Sequence, residues 1–178
     1  LGLTKGDRVA GFLPNFAGSI VAMLATASLG AIWSSCSPDF GEQGVIDRFG
    51  QIEPKVLFCV DGYFYNGKSH ICLSKIKSFT ARLPTLKQVV IFDYASSDNN
   101  SINNSISYQE ILDNYEPNEI DFERVGFDHP LYIMYSSGTT GVPKCIVHGH
   151  GGTLVQHLKE HQLQTNISSG DRVFYFTT

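Results

Sequence analysis

Short runs of mainly apolar residues, separated by segments with helical spacing, constrain the fold of this chain most strongly. The first three runs are Arg8–Leu13, Ala31–Ser34 and Lys55–Val60, and helices are predicted between them at Phe16–Leu29 and Glu42–Ile52. Strands without polar alternation are typical of parallel sheets whose two faces are both covered. The sequence therefore predicts an α/β fold with a mostly parallel sheet and helices on both faces.

The same alternation continues along the chain. It predicts a loop at Asp61–Lys68, helices at Ile71–Leu83 and Gly152–Gln164, and strands at Lys87–Phe92, Leu131–Tyr135 and Cys145–His148. Ser107-Tyr-Gln-Glu110 has the spacing of a capping box, which predicts a helix that begins there and ends near Tyr115. Residues 93–107 are rich in Asn and Ser and have few apolar side chains, so we expect a surface loop.

A short internal repeat occurs near the two ends of the chain. Gly6-Asp-Arg-Val9 recurs as Gly170-Asp-Arg-Val173, and each copy precedes an apolar run. A shared turn that leads into a strand explains the repeat more simply than a duplicated half-domain.

Because the chain begins at Leu1 within a pattern and stops at Thr178 within the predicted last strand, we expect it to be part of a larger domain, truncated at both ends.

Composition excludes several classes of protein. With 178 residues, 42% of them hydrophobic, the chain can bury a core, which excludes a disordered protein. The net charge of −4 argues against a nucleic-acid partner. The four cysteines form no C-x-x-C pair, so reduced thiols in a cytosolic protein are expected. The uncharged stretch Val9–Pro38 is interrupted by Pro14-Asn15, so no membrane span is predicted. The oligomeric state stays open.

The stretch with the most chemical information is Tyr135-Ser-Ser-Gly-Thr-Thr-Gly-Val-Pro-Lys144. Its glycines allow tight turns that present backbone N–H groups, its hydroxyls add donors, and Lys144 adds a positive charge, which together suit a polyphosphate. Pro143 stands where a Walker A loop requires glycine, so the stretch is not a P-loop. From composition alone, an ordinary Ser/Thr/Gly surface loop remains the alternative.

These ten residues resemble the signature loop of the adenylate-forming superfamily, which includes acyl-CoA synthetases, adenylation domains and luciferases. Three flanking stretches, Ile32–Gly41, Asp47–Phe58 and Cys145–His161, are similar to the branch of that superfamily that activates acetoacetate. The resemblance implies part of a large N-terminal AMP-binding domain. It also implies a ligase that joins acetoacetate to coenzyme A through an acyl adenylate, with ATP and Mg²⁺, and that releases AMP and pyrophosphate.

The resemblance also implies roles for individual residues. The ATP phosphates would be held by the members of the loop, Ser136, Ser137, Gly138, Thr139, Thr140, Gly141 and Lys144. Arg48 would contact a phosphate of coenzyme A, although a solvated arginine on a helix is an equally good interpretation. His148 would contact phosphate or the acyl group, if its strand brings it near the loop, and the alternative is a hydrogen-bonded core histidine. No nucleophile or metal ligand is expected in this chain, because the family's other catalytic residues would follow Thr178.

Three other functions are compatible with the sequence. One is a ligase for another short- or medium-chain acid. The second is an inert nucleotide-binding segment, which would be expected if the chain acts without the rest of the domain. The third is a zinc peptidase, because His157-Leu-Lys-Glu160-His161 matches H-x-x-E-H, although a solvated helix face is the simpler explanation.

Overall fold

The structure is a computed structural model, and it describes residues 1–95, 102–136 and 141–175. The strands, β1 to β9, are Arg8–Phe12, Ile32–Cys36, Val56–Val60, Gly62–Tyr65, Lys68–Ile71, Gln88–Phe92, Ser105–Ser107, Pro130–Ser136 and Lys144–Gly149. The helices, α1 to α5, are Ala17–Ser28, Glu42–Ile52, Leu73–Thr80, Tyr108–Asn114 and His150–Leu158. A π-helical segment, Lys159–Gln164, follows α5 directly.

The predicted mostly parallel sheet is confirmed. Within the described residues, seven strands form one sheet in the order β7-β6-β3-β1-β2-β8-β9. Every neighbouring pair is parallel except β8 and β9, which are antiparallel. Because β2 and β8 run in the same direction, their carboxyl ends meet at one edge of the sheet, and β9 begins at that edge.

Two apolar clusters, one on each face of the sheet, explain why the strands lack polar alternation. In β3 all five residues are buried, with Leu57 and Cys59 on one face and Val56, Phe58 and Val60 on the other. Helices α2 and α3 cover the first face, and α1 and α4 cover the second. A strand covered on both sides needs apolar residues at every position, which is the pattern seen in the sequence.

Helix α2 has the bounds that the sequence predicts. It buries Val45, Phe49 and Ile52, which lie on one helical face, against the sheet. It ends at Ile52, and the capping residue Glu53 has a left-handed backbone (φ 50°) immediately before Pro54. The helix expected at Ile71–Leu83 is shorter, Leu73–Thr80, because β5 extends to Ile71. The residues of this segment that were expected to face inward are nevertheless all buried: Cys72, Ile76, Phe79 and Leu83.

Two segments predicted as loops contain strands. Residues Asp61–Lys68 were expected to form a loop, but Gly62–Tyr65 and Lys68–Ile71 pair as an antiparallel hairpin. Its turn is Asn66-Gly67, both with positive φ (49° and 71°), as a tight hairpin requires. In the predicted 93–107 loop, Ser105–Ser107 adds a parallel strand to β6 and Ile102 is buried, whereas residues 96–101 lie outside the described part.

The final part of the chain departs from the prediction in two ways. The helix expected at 152–164 starts earlier, at His150, and its second half is π-helical. The repeated turn is confirmed, because Asp7 and Asp171 each accept a hydrogen bond from a backbone N–H three residues before, at 2.9 Å from Thr4 and 2.7 Å from Ser168. The expected strand after the second turn is wrong for residues 171–175, which are not paired in a sheet.

The first of these turns is tied to the core by an ion pair between Asp7 and Lys55. Burial alone would raise the pKa of Asp7, but hydrogen bonds from Lys55 and Thr4 outweigh burial and hold the pKa of this carboxyl below its usual value. A lowered carboxyl pKa means that ionised Asp7 stabilises the fold above about pH 4, where the unfolded group titrates. This contribution is lost as the pH falls through the lower folded-state pKa.

We therefore expect Asp7→Asn to lower the free energy of unfolding of the full-length protein by about 1 to 2 kcal/mol at pH 7. The difference between wild type and variant should shrink as the pH falls below about 4, because the unfolded carboxyl becomes neutral first and the folded one follows at its lower pKa. Urea denaturation at pH 7 and at pH 3.5 measures this. A difference that does not depend on pH would show that the charge of Asp7 is not what stabilises the turn.

Candidate functional site

The glycine-rich loop, Ser136 to Lys144, connects two antiparallel strands. Ser136 is the last residue of β8 and pairs with Lys144, the first residue of β9. Gly141 has a positive φ of 139°, a backbone conformation that residues with side chains rarely adopt. Ser137, Gly138, Thr139 and Thr140 lie outside the described residues. The loop is therefore the turn of a hairpin that starts at the carboxyl end of β8, and Lys144 is exposed at its end.

The strand that leads into the loop is held by a buried hydroxyl. Ser34 in β2 donates a hydrogen bond to the carbonyl of Ile133 at 2.8 Å, and its oxygen lies 3.0 Å from the hydroxyl of Tyr135. Burial raises the pKa of Tyr135, so the phenol stays protonated at neutral pH and can donate to Ser34. This contact fixes the end of β8 against β2 immediately before the loop.

Helix α2 lies beside the same strand end. The guanidinium of Arg48 is 4.3 Å from the ring centre of Phe40 and 5.6 Å from that of Tyr135, and its Nη1 donates to the carbonyl of Gly44 at 2.8 Å. Stacking on aromatic rings orients an arginine while leaving its charge in place. Arg48 is therefore half-buried and oriented, unlike a freely solvated surface arginine.

A cavity of about 500 Å³ opens at the carboxyl ends of β2 and β8. Its lining includes Trp33, Cys36, Phe40, Arg48, Tyr135 and His157. Burial raises the pKa of the Cys36 thiol to about 12, so this cysteine is protonated at neutral pH and is a poor nucleophile. The cavity is mostly apolar with one arginine, as a binding site for an extended, partly charged molecule would be.

The structure places His148 away from Lys144, the described end of the loop. His148 pairs with Tyr132, whereas Lys144 pairs with Ser136, so the two residues are four positions apart along β9. At about 3.3 Å per residue, this separates their backbones by about 13 Å. The half-buried His148 ring packs on Tyr132, 5.1 Å between ring centres. His148 therefore lies away from Lys144, and its contact with phosphate or the acyl group stays an untested prediction.

The histidines of the H-x-x-E-H match lie at the end of α5 and in the π-helical segment. The rings of His157 and His161 are 6.0 Å apart, and Glu160 pairs with Lys159 at 2.9 Å. Among the described residues, no group of three or more His, Cys, Asp or Glu side chains could hold a metal ion. The described residues therefore give the zinc hypothesis no third ligand.

Sequence reasoning missed two contributors to this region. His157 lines the cavity, and Gln51 of α2 contacts the end of the glycine-rich loop. Neither residue has a local pattern that predicts these positions, because both contacts depend on how distant elements pack.

None of the helices in the described ranges is long and apolar enough to cross a membrane.

Lys144 is the positively charged residue of the glycine-rich stretch. An exposed lysine at the end of a glycine-rich hairpin provides a positive charge at an open edge of the sheet. Among the described residues, no cluster of carboxylates offers a site for Mg²⁺. This part of the chain therefore offers two cations to an anionic ligand, Lys144 at the start of β9 and Arg48 in the lining of the cavity.

Comparisons with known proteins show which sequences this chain resembles. A sequence profile described as AMP-binding enzyme matches residues 1–178. Acetoacetyl-CoA synthetase of Gallus gallus is 52% identical over 185 residues, which cover the whole of this chain and 28% of that protein. Acetoacetyl-coenzyme A synthetase of Rhizobium meliloti is 52% identical over 182 residues, covering 99% of this chain and 27% of that protein.

A solved structure gives the same result. Acetoacetyl-CoA synthetase from Streptomyces lividans superposes with a TM-score of 0.93 and 44% identity, covering 99% of this chain and 27% of that one. This chain thus spans little more than a quarter of the length of the relatives that it matches. The match to the family profile and the agreement in fold lead to one conclusion: the chain belongs to the AMP-binding enzyme family.

Proposed function

We propose that the full-length protein ligates acetoacetate to coenzyme A through an acetoacetyl adenylate, releasing AMP and pyrophosphate. The observation that carries the proposal is the 52% identity with the Gallus gallus protein, whose name is acetoacetyl-CoA synthetase, over the whole of this chain. The exposed Lys144 at the end of the glycine-rich hairpin supports the ATP-dependent step.

The first step brings two anions together. The acid's carboxylate attacks the α-phosphate of ATP, an acyl–phosphate bond forms, and the bond to pyrophosphate breaks. This approach is repulsive unless positive groups neutralise the phosphates as charge moves onto the leaving group. We assign the positive charge to Lys144 and further hydrogen-bond donors to the loop residues Ser136, Ser137, Gly138, Thr139, Thr140 and Gly141. Mg²⁺ bound to the phosphates would supply further positive charge and polarise the α-phosphate.

The second step needs a thiol to reach the adenylate. The sulfur of coenzyme A attacks the acyl carbon, a thioester forms, and AMP leaves. The cavity at the carboxyl ends of β2 and β8 supports entry of the coenzyme from this side, because it is mostly apolar and has Arg48 in its lining. We assign Arg48 to a phosphate of coenzyme A.

Arg48→Ala tests this assignment. We expect the KM for coenzyme A to rise about tenfold in the full-length enzyme, because a charge-assisted hydrogen bond of about 1.5 kcal/mol is lost. Pyrophosphate exchange, which needs no coenzyme A, should change less than twofold. Arg82→Ala is the matched control, because it removes an exposed arginine that pairs with Glu42 at the start of the same helix. An unchanged KM for coenzyme A would remove Arg48 from the site.

We also propose that the protein is cytosolic. Its four cysteines are free thiols, three of them buried, and unpaired buried thiols are common in reducing compartments.

The acid specificity is tested by pyrophosphate exchange in the full-length protein with acetoacetate, acetate, propionate and medium-chain acids. We expect acetoacetate to have the highest kcat/KM. If acetate or a fatty acid is used better, the protein is a ligase for another acid. If no acid supports exchange while ATP still binds, the interpretation as an inert nucleotide-binding segment is favoured.

A further inference from the structure

Gln51, one turn after Arg48 on α2, contacts the chain on both sides of Lys144. Its Nε2 donates a hydrogen bond to the carbonyl of Pro143 at 2.8 Å, and its Oε1 accepts one from the thiol of Cys145 at 3.6 Å. The same Nε2 also donates to the carbonyl of Asp47 within the helix. Both hydrogens of the amide and its oxygen are therefore engaged.

These bonds fix the position of one short segment. Pro143 and Cys145 are the immediate neighbours of Lys144, so a backbone carbonyl before it and a side-chain thiol after it both tie this segment to α2. The lysine side chain is exposed and extends from an anchored backbone. An anchored backbone reduces the number of positions that a long side chain samples, which favours binding of a ligand at one of them.

The same helix also contacts the strand before the loop. Arg48 lies over the ring of Tyr135 at 5.6 Å, and Tyr135 immediately precedes Ser136. Residues 48 and 51 are neighbours on one helical face, because they are three positions apart. Helix α2 therefore contacts the hairpin both before and after the glycine-rich loop, and Gln51 is the contact on the side of Lys144.

We propose that Gln51 is a positioning residue that holds Lys144 in place for the β- and γ-phosphates of ATP. This inference rests on the proposed role of Lys144 in ATP binding and does not depend on which acid is activated. Gln51 itself does not touch the nucleotide. Its effect should therefore appear only with ligands that reach Lys144.

The experiment compares binding of MgATP and AMP to the full-length protein by isothermal titration calorimetry. Gln51→Met keeps the length of the side chain and removes both hydrogen-bonding groups. Gln51→Glu keeps an acceptor for Cys145 and removes the donor to Pro143, which makes it a second variant if the first folds poorly. Gln43→Met is the matched control, because Gln43 is an exposed glutamine on the same helix that contacts Asp47 and Arg82.

We expect Gln51→Met and Gln51→Glu to weaken MgATP binding about tenfold, the loss typical of one or two hydrogen bonds. AMP binding should change less than twofold, because AMP lacks the phosphates that Lys144 holds. Gln43→Met should change neither. A purely structural role of Gln51 would weaken both nucleotides alike, and that result would overturn the proposal, as would unchanged MgATP binding.

A double-mutant cycle tests whether Gln51 affects MgATP binding through Lys144. If Gln51 acts through Lys144, Gln51→Met should weaken MgATP binding less than twofold in a Lys144→Ala background. A further tenfold loss in that background would contradict the proposal. Failure of the acetoacetate assignment is detected separately, in the panel of acids, and leaves this result unchanged.

Discussion

Replacing Lys144 by alanine is expected to slow adenylate formation in the full-length enzyme by tenfold to a few hundredfold. Lys144 is exposed at the end of the glycine-rich hairpin, where its charge can neutralise the β- and γ-phosphates. Charge-assisted contacts of this kind contribute about 1.5 to 3 kcal/mol. Because pyrophosphate leaves before the thioester forms, the second half-reaction should be affected much less.

Two separate assays measure these effects. Pyrophosphate exchange reports the first half-reaction, and thioester formation from pre-formed acyl adenylate reports the second. Lys68→Ala, which removes an exposed lysine from the β4–β5 hairpin, should change neither. If Lys144→Ala slowed both half-reactions equally, or neither of them, Lys144 would not be the phosphate ligand.

Replacing Phe49 by alanine should have the largest effect on stability. Phe49 is fully buried and belongs to the apolar cluster between α2, α3 and the sheet. Truncating a buried phenylalanine removes apolar burial and leaves a cavity, which costs about 3 to 5 kcal/mol. Because Phe49 lies between Arg48 and Gln51 in the sequence, we also expect weaker use of both ATP and coenzyme A.

Urea denaturation of the full-length protein, followed by tryptophan fluorescence and circular dichroism, tests this prediction. Phe64→Ala is the control, because Phe64 is 59% exposed on the β4–β5 hairpin. The control should change the free energy of unfolding by less than about 0.5 kcal/mol. A loss below about 1 kcal/mol for Phe49→Ala would mean that α2 is not anchored through this residue.

The sheet and its covering helices could be predicted because burial on both faces leaves a clear mark on the sequence. The five residues of β3 are all apolar, and α2 combines a 3.6-residue repeat of apolar residues with a proline after its end. Such local patterns determine the type of each element and many of its bounds. The bounds of α2 were predicted without error for this reason.

Elements that depend on distant partners were not predicted. The strand Ser105–Ser107 forms because β6 offers an edge, and a three-residue strand has too few residues to show a pattern. Conversely, Val173–Tyr175 has the composition of a strand, but its side chains are exposed and no described strand pairs with it. The Asn66-Gly67 hairpin is different, because its turn signal was present in the sequence and was missed.

The candidate site was predictable only where its residues are contiguous in the sequence. The glycine-rich loop and Lys144 are contiguous in sequence, so their pattern could be read directly. Ser34 lies 101 residues from its partner Tyr135, and Gln51 lies 92 residues from Pro143. Single polar residues in a strand or on a helix do not indicate such contacts, which follow only from the parallel pairing of β2 with β8.

The central claim, activation through an adenylate, is tested most directly by quantifying products in the absence of coenzyme A. Full-length protein is mixed with ATP, Mg²⁺ and acetoacetate, quenched rapidly and analysed by mass spectrometry. We predict about one equivalent of pyrophosphate and of acetoacetyl adenylate per site, followed by AMP and acetoacetyl-CoA once coenzyme A is added. Formation of ADP and phosphate, or no pyrophosphate until coenzyme A is present, would contradict the account.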